Sequence, residues 1–198
     1  LFKKKENIED IIAGCRKKQS KSQEALYKEY FGYAMSVALP YAHVPDEAHE
    51  IVNDSFMKVF DKIDSYKESH SFKSWFRAIV VNTAIDYYRK NGKYRLNTDV
   101  EQADRSEYSE EILDSLNLEN ILELLNGLSD NQRVIFNLYE IEGYSHREIA
   151  EMLDITETAS RTNLTRAKKS LRDLYFNYFE QHEETDRYSI EQQDKASS

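Results

Sequence analysis

Residues 144–164 constrain the fold of this chain more than any other stretch. They hold two apolar stripes at three- and four-residue spacing, separated by one short polar turn. Ser145 stands where a helix cap belongs, and Glu148, three residues on, completes a capping box. Ile149, Ala150 and Leu153 would face inward, and the small Ala150 would let a second helix approach closely. Asp154 occupies the turn, where aspartate tolerates the left-handed conformation at some cost. Ile155 would plug the space between the helices. On the second helix Leu164, Ala167, Leu171 and Leu174 share the core side, while Thr158, Arg161, Thr162, Thr165, Arg166 and Lys169 project elsewhere. The segment reads as a helix-turn-helix. Arginine and lysine neutralise phosphates, and arginine and threonine also reach base edges in a major groove. An ordinary helical hairpin with a solvated basic face is the bland alternative. It leaves the coincidence of cap, small residue, turn and basic face unexplained.

The rest of the chain is patterned for helices too. Residues 8–39 carry Ile8, Ile11, Ile12 and Cys15, then Ala25, Leu26, Tyr30, Phe31, Ala34, Val37 and Ala38 at helical spacing. Residues 46–63 repeat the pattern, with Asp46 as a candidate cap and Ile51, Val52, Phe56, Val59, Phe60 and Ile63 as one stripe. After the polar residues 64–71, a third helix over 72–90 carries Trp75, Phe76, Ile79, Val80, Ala84 and Tyr87, and Asn91-Gly92 stops it. Apolar periodicity then lapses and resumes through Leu116, Leu118, Ile121, Leu122, Leu125 and Leu128. Ser129-Asp130 starts a helix burying Val134, Ile135 and Leu138, and the last helix runs from Thr156 to about Phe179. Only five glycines and two prolines argue against a turn-rich β fold. The expected class is all-α: two small helical domains, residues 1–95 and 116–179, joined by an acidic flexible linker at 96–115, with a disordered tail at 180–198.

The net charge of −9 looks wrong for a nucleic-acid binder until its distribution is followed. Residues 1–96 carry a net +4, residues 97–127 a net −8, residues 128–172 balance, and residues 173–198 carry −5. The acid sits in the linker and the tail, and both helical segments keep local basic clusters. Cys15 is the only cysteine, and no Cys/His cluster has zinc spacing. There is no phosphate-cradling glycine loop, nucleophile elbow or other catalytic constellation, so neither enzyme activity nor a cofactor or metal is expected. The first residues lack the pattern of a signal peptide, and no apolar run approaches the ~20 residues of a membrane span. A soluble, cytoplasmic protein is expected.

The helix-turn-helix now has a context. Leu128-Ser129-Asp130-Asn131-Gln132-Arg133-Val134-Ile135-Phe136, Glu142-Gly143-Tyr144-Ser145, Glu148-Ile149-Ala150, Arg161, Leu164 and Arg166-Ala167-Lys168 resemble the C-terminal domain of bacterial sigma factors. Asp46-Glu47-Ala48-His49-Glu50-Ile51-Val52-Asn53-Asp54-Ser55-Phe56 is similar to the polymerase-binding helix of that family. Residues 72–90, from Phe72-Lys73-Ser74-Trp75 to Tyr88-Arg89-Lys90, resemble its promoter-melting helix. All three in this order fit the small extracytoplasmic-function group, and the resemblance covers about residues 20–175.

The resemblance implies a protein that binds core RNA polymerase, through the clamp helices of the largest subunit and the flap of the second largest, and opens promoter DNA. Glu50, Asn53, Asp54 and Phe56 would dock on polymerase. His49 stands where an acid is usual and reads as a rim residue. Trp75, Asn82, Thr83, Arg89, Lys90 and Lys93 would handle the minus-ten element, with Arg95 beside them on the backbone. There a flipped base is captured, and aromatic and amide groups offset its unstacking. Trp75 reads equally as a core tryptophan, and a solvated helix end is the bland alternative for residues 90–95. Thr158, Arg161, Thr162, Thr165, Arg166 and Lys169 would read the minus-thirty-five element. The acidic linker would mimic RNA in the exit channel, or be a plain solvated tether. An anti-sigma factor or another recruiting factor is a further partner the resemblance leaves room for. The alternative is a stand-alone helix-turn-helix regulator, which would shift duplex DNA without polymerase.

Overall fold

The first apolar stretch is broken where the sequence carries no obvious stop. Helix α1 (Ile8–Arg16) ends as Lys18 turns left-handed at φ 55, and the Gln19 N–H closes back on the Gly14 carbonyl at 3.0 Å. Asn7 caps its start by accepting from the Glu9 N–H. Helix α2 (Ser20–Ala38) then folds back along α1. The approach is so close that a Cβ on Gly14 would lie 1.9 Å from Ser22 Oγ and 2.6 Å from Ser22 Cβ, so only glycine fits there. This computed structural model describes residues 7–92 and 118–196, with side chains placed over 7–90 and 121–176.

Helix α3 (Pro45–Lys62) starts one residue earlier than the sequence suggests. Pro45 takes the first position, where its missing N–H costs nothing, and Asp46 lies inside the first turn instead of capping it. The Asp46 charge still favours the helix N-terminus, and the Glu47 carboxylate accepts from the His43 N–H at 2.8 Å. Ile51, Val52, Phe56, Val59 and, past the helix end, Ile63 are buried as one stripe, with Phe60 half-buried at its edge. Helix α4 (Phe72–Gly92) sets Phe72, Phe76, Val80, Val81, Ala84 and Ile85 against it. Aromatic rings join the layers. Phe56 lies 5.0 Å from Phe76, and Tyr30 meets Phe72 edge-on at 5.0 Å. Each such buried ring contributes about 1.5–3 kcal/mol by burial alone.

The second unit contains α5 (Leu118–Asn126), α6 (Asp130–Phe136), a π-helical turn over Asn137–Ile141, α7 (His146–Leu153) and α8 (Glu157–Ala196). Leu125, Leu128 and Ala167 form its centre, flanked by Ile121, Phe136 and Leu171. Leu174 lies over Gly127, where a Cβ would come within 2.5 Å of it. Arg133 is 1% exposed, and its Nε–H donates to the Leu125 carbonyl at 3.0 Å. A buried cation thus adds a second hydrogen bond to a carbonyl near the end of α5 that also accepts from the Leu128 N–H at 3.1 Å.

The chain divides into two units at Thr98. The described residues contain no strand, and none of their helices is long and apolar enough to cross a membrane. The acidic linker lies outside the described residues. Helix α8 also differs from the sequence reading: it continues to Ala196, where a disordered tail was expected. Residues 180–196 hold no glycine or proline and include four Glu and three Gln, so nothing in the local sequence stops the helix.

Candidate nucleic-acid interface

The turn between α7 and α8 is built as the sequence predicts. Ser145 Oγ accepts from the Glu148 N–H at 3.3 Å, and Glu148 Oε2 accepts from the Ser145 N–H at 2.8 Å. The Ser145 hydroxyl also donates to Glu148 Oε2 at 2.7 Å, and this bond first, then that from the Ser145 N–H, holds the Glu148 carboxyl below its ordinary range. Asp154 is left-handed, at φ 58 and ψ 47, and the Ile155 N–H reaches back to the Ala150 carbonyl at 3.1 Å. Ile149, Ala150 and Leu153 are buried, and Ile155 is half-buried in the crook. Thr156 Oγ1 accepts from the Ala159 N–H and caps α8.

On α8 the six candidate residues share one side. At about 100° per residue, Thr158, Thr162, Thr165 and Lys169 fall near one line, with Arg161 and Arg166 on its two edges. Thr158, Arg161, Thr165 and Lys169 are exposed, and Thr162 and Arg166 are half-buried. Arg161 Nη2 pairs with Glu157 Oε2 at 2.9 Å, and the Thr165 hydroxyl donates to the Arg161 carbonyl. Lys168 is turned to structure instead, bridging to Glu140 at 2.7 Å. Behind this face the His146 ring stacks on Tyr139 and meets the buried Ser160 hydroxyl. Burial lowers the His146 pKa, Arg161 and Lys168 lower it further, and Glu157 opposes them.

In the first unit, Trp75 is half-buried, 5.3 Å from Tyr66 and 5.7 Å from Phe72. It packs on a buried aromatic pair and still shows surface. Asn82 is exposed and donates to the Ala78 carbonyl, and Arg89 and Lys90 are exposed further along α4. Trp75, Asn82 and Arg89, seven residues apart, fall on one stripe. Thr83 does not join them. It is 3% exposed and donates to the Ile79 carbonyl at 2.7 Å, because one residue beyond Asn82 the helix has turned to its core side. Lys93 and Arg95 lie outside the described residues.

On α3, Glu50, Asn53 and Asp54 are exposed on one face, and the Tyr27 hydroxyl orients Asn53 by donating to its Oδ1 at 3.1 Å. Phe56 is corrected: at 2% exposure it is a core residue, 4.6 Å from Tyr27, and cannot itself touch a partner. Two residues past Asp54 is more than half a turn away. Sequence reading passed over Met57, which is 62% exposed, one turn on from Asn53 and Asp54. The signal was there, since the buried stripe is complete without it. His49 is exposed at the rim, its ring 5.6 Å from Phe31. Among the described residues no three His, Cys, Asp or Glu side chains are grouped to hold a metal ion.

A helical unit followed along the chain by a helix-turn-helix unit defines a two-domain DNA-binding protein. Family models say which one. The model of sigma-70 region 2 matches residues 26–94, and that of sigma-70 region 4 matches residues 118–171. The chain is 25% identical over 160 residues to the RNA polymerase sigma factor YlaC of Bacillus subtilis, covering 78% of this chain and 92% of that protein. It is 26% identical over 157 residues to the ECF RNA polymerase sigma-E factor of Escherichia coli, covering 73% and 80%. The sigma factor RpoE of Bartonella quintana, solved in complex with the anti-sigma factor NepR, aligns at TM-score 0.47 and 23% identity, over 77% of this chain and 95% of that one. The chain belongs to the sigma-70 family, as a transcription-initiation sigma factor of the extracytoplasmic-function group. The region 2 match disfavours a stand-alone regulator.

Proposed function

We propose that this sigma factor uses three separate exposed faces in one initiation reaction. The α3 face of Glu50, Asn53 and Asp54 docks on the clamp helices of core polymerase, where acidic and amide groups meet basic partners. The α4 stripe of Trp75, Asn82 and Arg89, with residues 64–71 beside it, takes the minus-ten element and holds an extruded base. The α8 face of Thr158, Arg161, Thr162, Thr165, Arg166 and Lys169 enters the major groove of the minus-thirty-five element. The α4 stripe carries this reading. It sets an aromatic, an amide and a cation in line on the side of α4 away from its buried stripe, which suits a strand whose base is stacked, read on its edge and held by its phosphate. Run-off transcription with core enzyme on a randomised promoter library tests it. Enriched promoters should carry two fixed elements, and none should be transcribed without the sigma factor. Transcripts with no sequence preference would refute the proposal.

A further inference from the structure

Helix α1 ends on Arg16, and Arg16 reaches across fifty residues of chain. Its Nη2–H donates to the Tyr66 carbonyl at 2.9 Å, and its Nη1–H meets Glu68 Oε1 at 3.0 Å. Both partners lie in residues 64–71, the segment just before α4. That segment is internally tied. The Tyr66 N–H closes on the Ile63 carbonyl at 3.2 Å, the His70 N–H on the Lys67 carbonyl at 3.1 Å, and the Tyr66 hydroxyl donates to the His70 carbonyl at 2.7 Å. The Tyr66 ring is 7% exposed and packs on Phe72 and Trp75. Lys67, Glu68, Ser69 and His70 are left exposed at the tip. The loop is therefore pre-shaped, and Arg16 is its tie to a different helix.

The two contacts of Arg16 are unequal. Glu68 is 64% exposed, and an ion pair in that setting is worth little. The bond to the Tyr66 carbonyl is part-buried and charge-assisted, so it matters more. The planar fork of a guanidinium makes both bonds at once, which an ammonium cannot do in the same geometry. Helix α1 is itself firmly seated, with Ile11, Ile12 and Cys15 buried and Gly14 against Ser22. It also precedes residue 26, where the match to region 2 begins.

We propose that Arg16 is a positioning residue that fixes the 64–71 loop beside Trp75 and so sets base selectivity at the minus-ten element. This rests on the reading of that loop as base-capturing. A pocket that discriminates between bases must hold its polar groups still, so releasing one wall relaxes choice before it abolishes activity. The alternative is that Arg16 only adds stability to the first unit, in which case its loss lowers all promoters alike.

The test uses the full chain in holoenzyme on a library randomised through the minus-ten element. The readout is the ratio of the preferred base to the next best at the captured position. Arg16→Ala should lower that ratio by about three- to tenfold, the range expected for the loss of one ordinary hydrogen bond. Polymerase binding and minus-thirty-five preference should stay unchanged. Arg16→Lys, which keeps charge and stem, should also lower the ratio, and it decides the matter if Arg16→Ala does not fold. An unchanged ratio in the folded variant, or a uniform loss on all promoters, overturns the proposal. A Ser69→Ala, His70→Ala double variant separates the two levels. If it moves the ratio and Arg16 does not, only the role of Arg16 is wrong. If neither moves it, the loop does not read the base.

Discussion

The Nδ1 of His146 lies 2.9 Å from the Oγ of Ser160, a side chain with no exposure, while the same ring stacks on Tyr139 at 4.5 Å. One imidazole thus joins the π-helical turn, the start of α7 and the start of α8. Its pKa is lowered, chiefly by burial and then by Arg161, with Lys168 adding to this and Glu157 opposing it. Between the lowered folded value and the ordinary one near 6.5, the unfolded chain binds the proton that the folded chain refuses. His146 therefore contributes stability above the ordinary value, and that stability is lost as pH falls below it. Thermal melts of wild type and His146→Gln between pH 5 and 8 should differ most at the alkaline end and converge at the acid end. A constant gap across the range would remove His146 as the source.

The two arginines on α8 should behave differently. In the proposed docking Arg161, near the helix N-terminus, reaches base edges, so its loss should cost about 1–3 kcal/mol and change which upstream element is preferred. Arg166, on the opposite edge, should act on a phosphate. Its loss should weaken all sequences alike and lower the salt slope by about one. Binding selections with each holoenzyme variant at two salt concentrations check this. Matching preference profiles for Arg161→Ala and wild type would show that Arg161 is not a base reader.

Position 54 and position 56 stand two residues apart on α3 and predict opposite failures. Glu50→Arg with Asp54→Arg should abolish co-elution with core polymerase while circular dichroism stays unchanged, since both side chains are exposed. Phe56→Ala should instead lose about 3–5 kcal/mol of stability, as expected for a buried ring. Co-elution of the charge-reversed protein at wild-type level would remove the docking face.

Neighbours on α4 allow a similar contrast. Asn82→Ala should reduce promoter opening, read as permanganate-reactive thymines in the bubble, more than it reduces closed-complex formation. Thr83→Val should leave opening unchanged and alter stability by about 1 kcal/mol, the scale of one hydrogen bond within the helix. A bubble defect in Thr83→Val equal to that of Asn82→Ala would mean that the defect comes from distorting α4 itself.

Much of this was legible in the sequence because it is written in short-range chemistry. The Ser145–Glu148 box, the left-handed Asp154 and the inward Ile149 and Leu153 follow from spacing alone. What escaped depended on position around a helix or on contacts far along the chain. Phe56 and Thr83 lie in the stretches that resemble polymerase-binding and promoter-melting motifs, yet helical rotation turns them inward. Lys18 adopts a left-handed turn that a glycine would have announced. Arg133 is charged yet buried, and its Nε–H donates to a carbonyl eight residues earlier. Arg16 carried no local signal at all, because its partners are at positions 66 and 68.

Gly14 gives α1 a particular kind of vulnerability. With Ser22 Cβ only 2.6 Å from where a methyl would stand, no side-chain rotation makes room, so Gly14→Ala must pry the two helices apart. Arg16 lies two residues further along the same helix and would be carried with it. A change as small as one carbon, at a buried site, would then act as a shim beneath the loop that Arg16 holds. Promoter choice in this protein could drift through the carpentry of its helix packing, with every DNA-facing side chain left as it was.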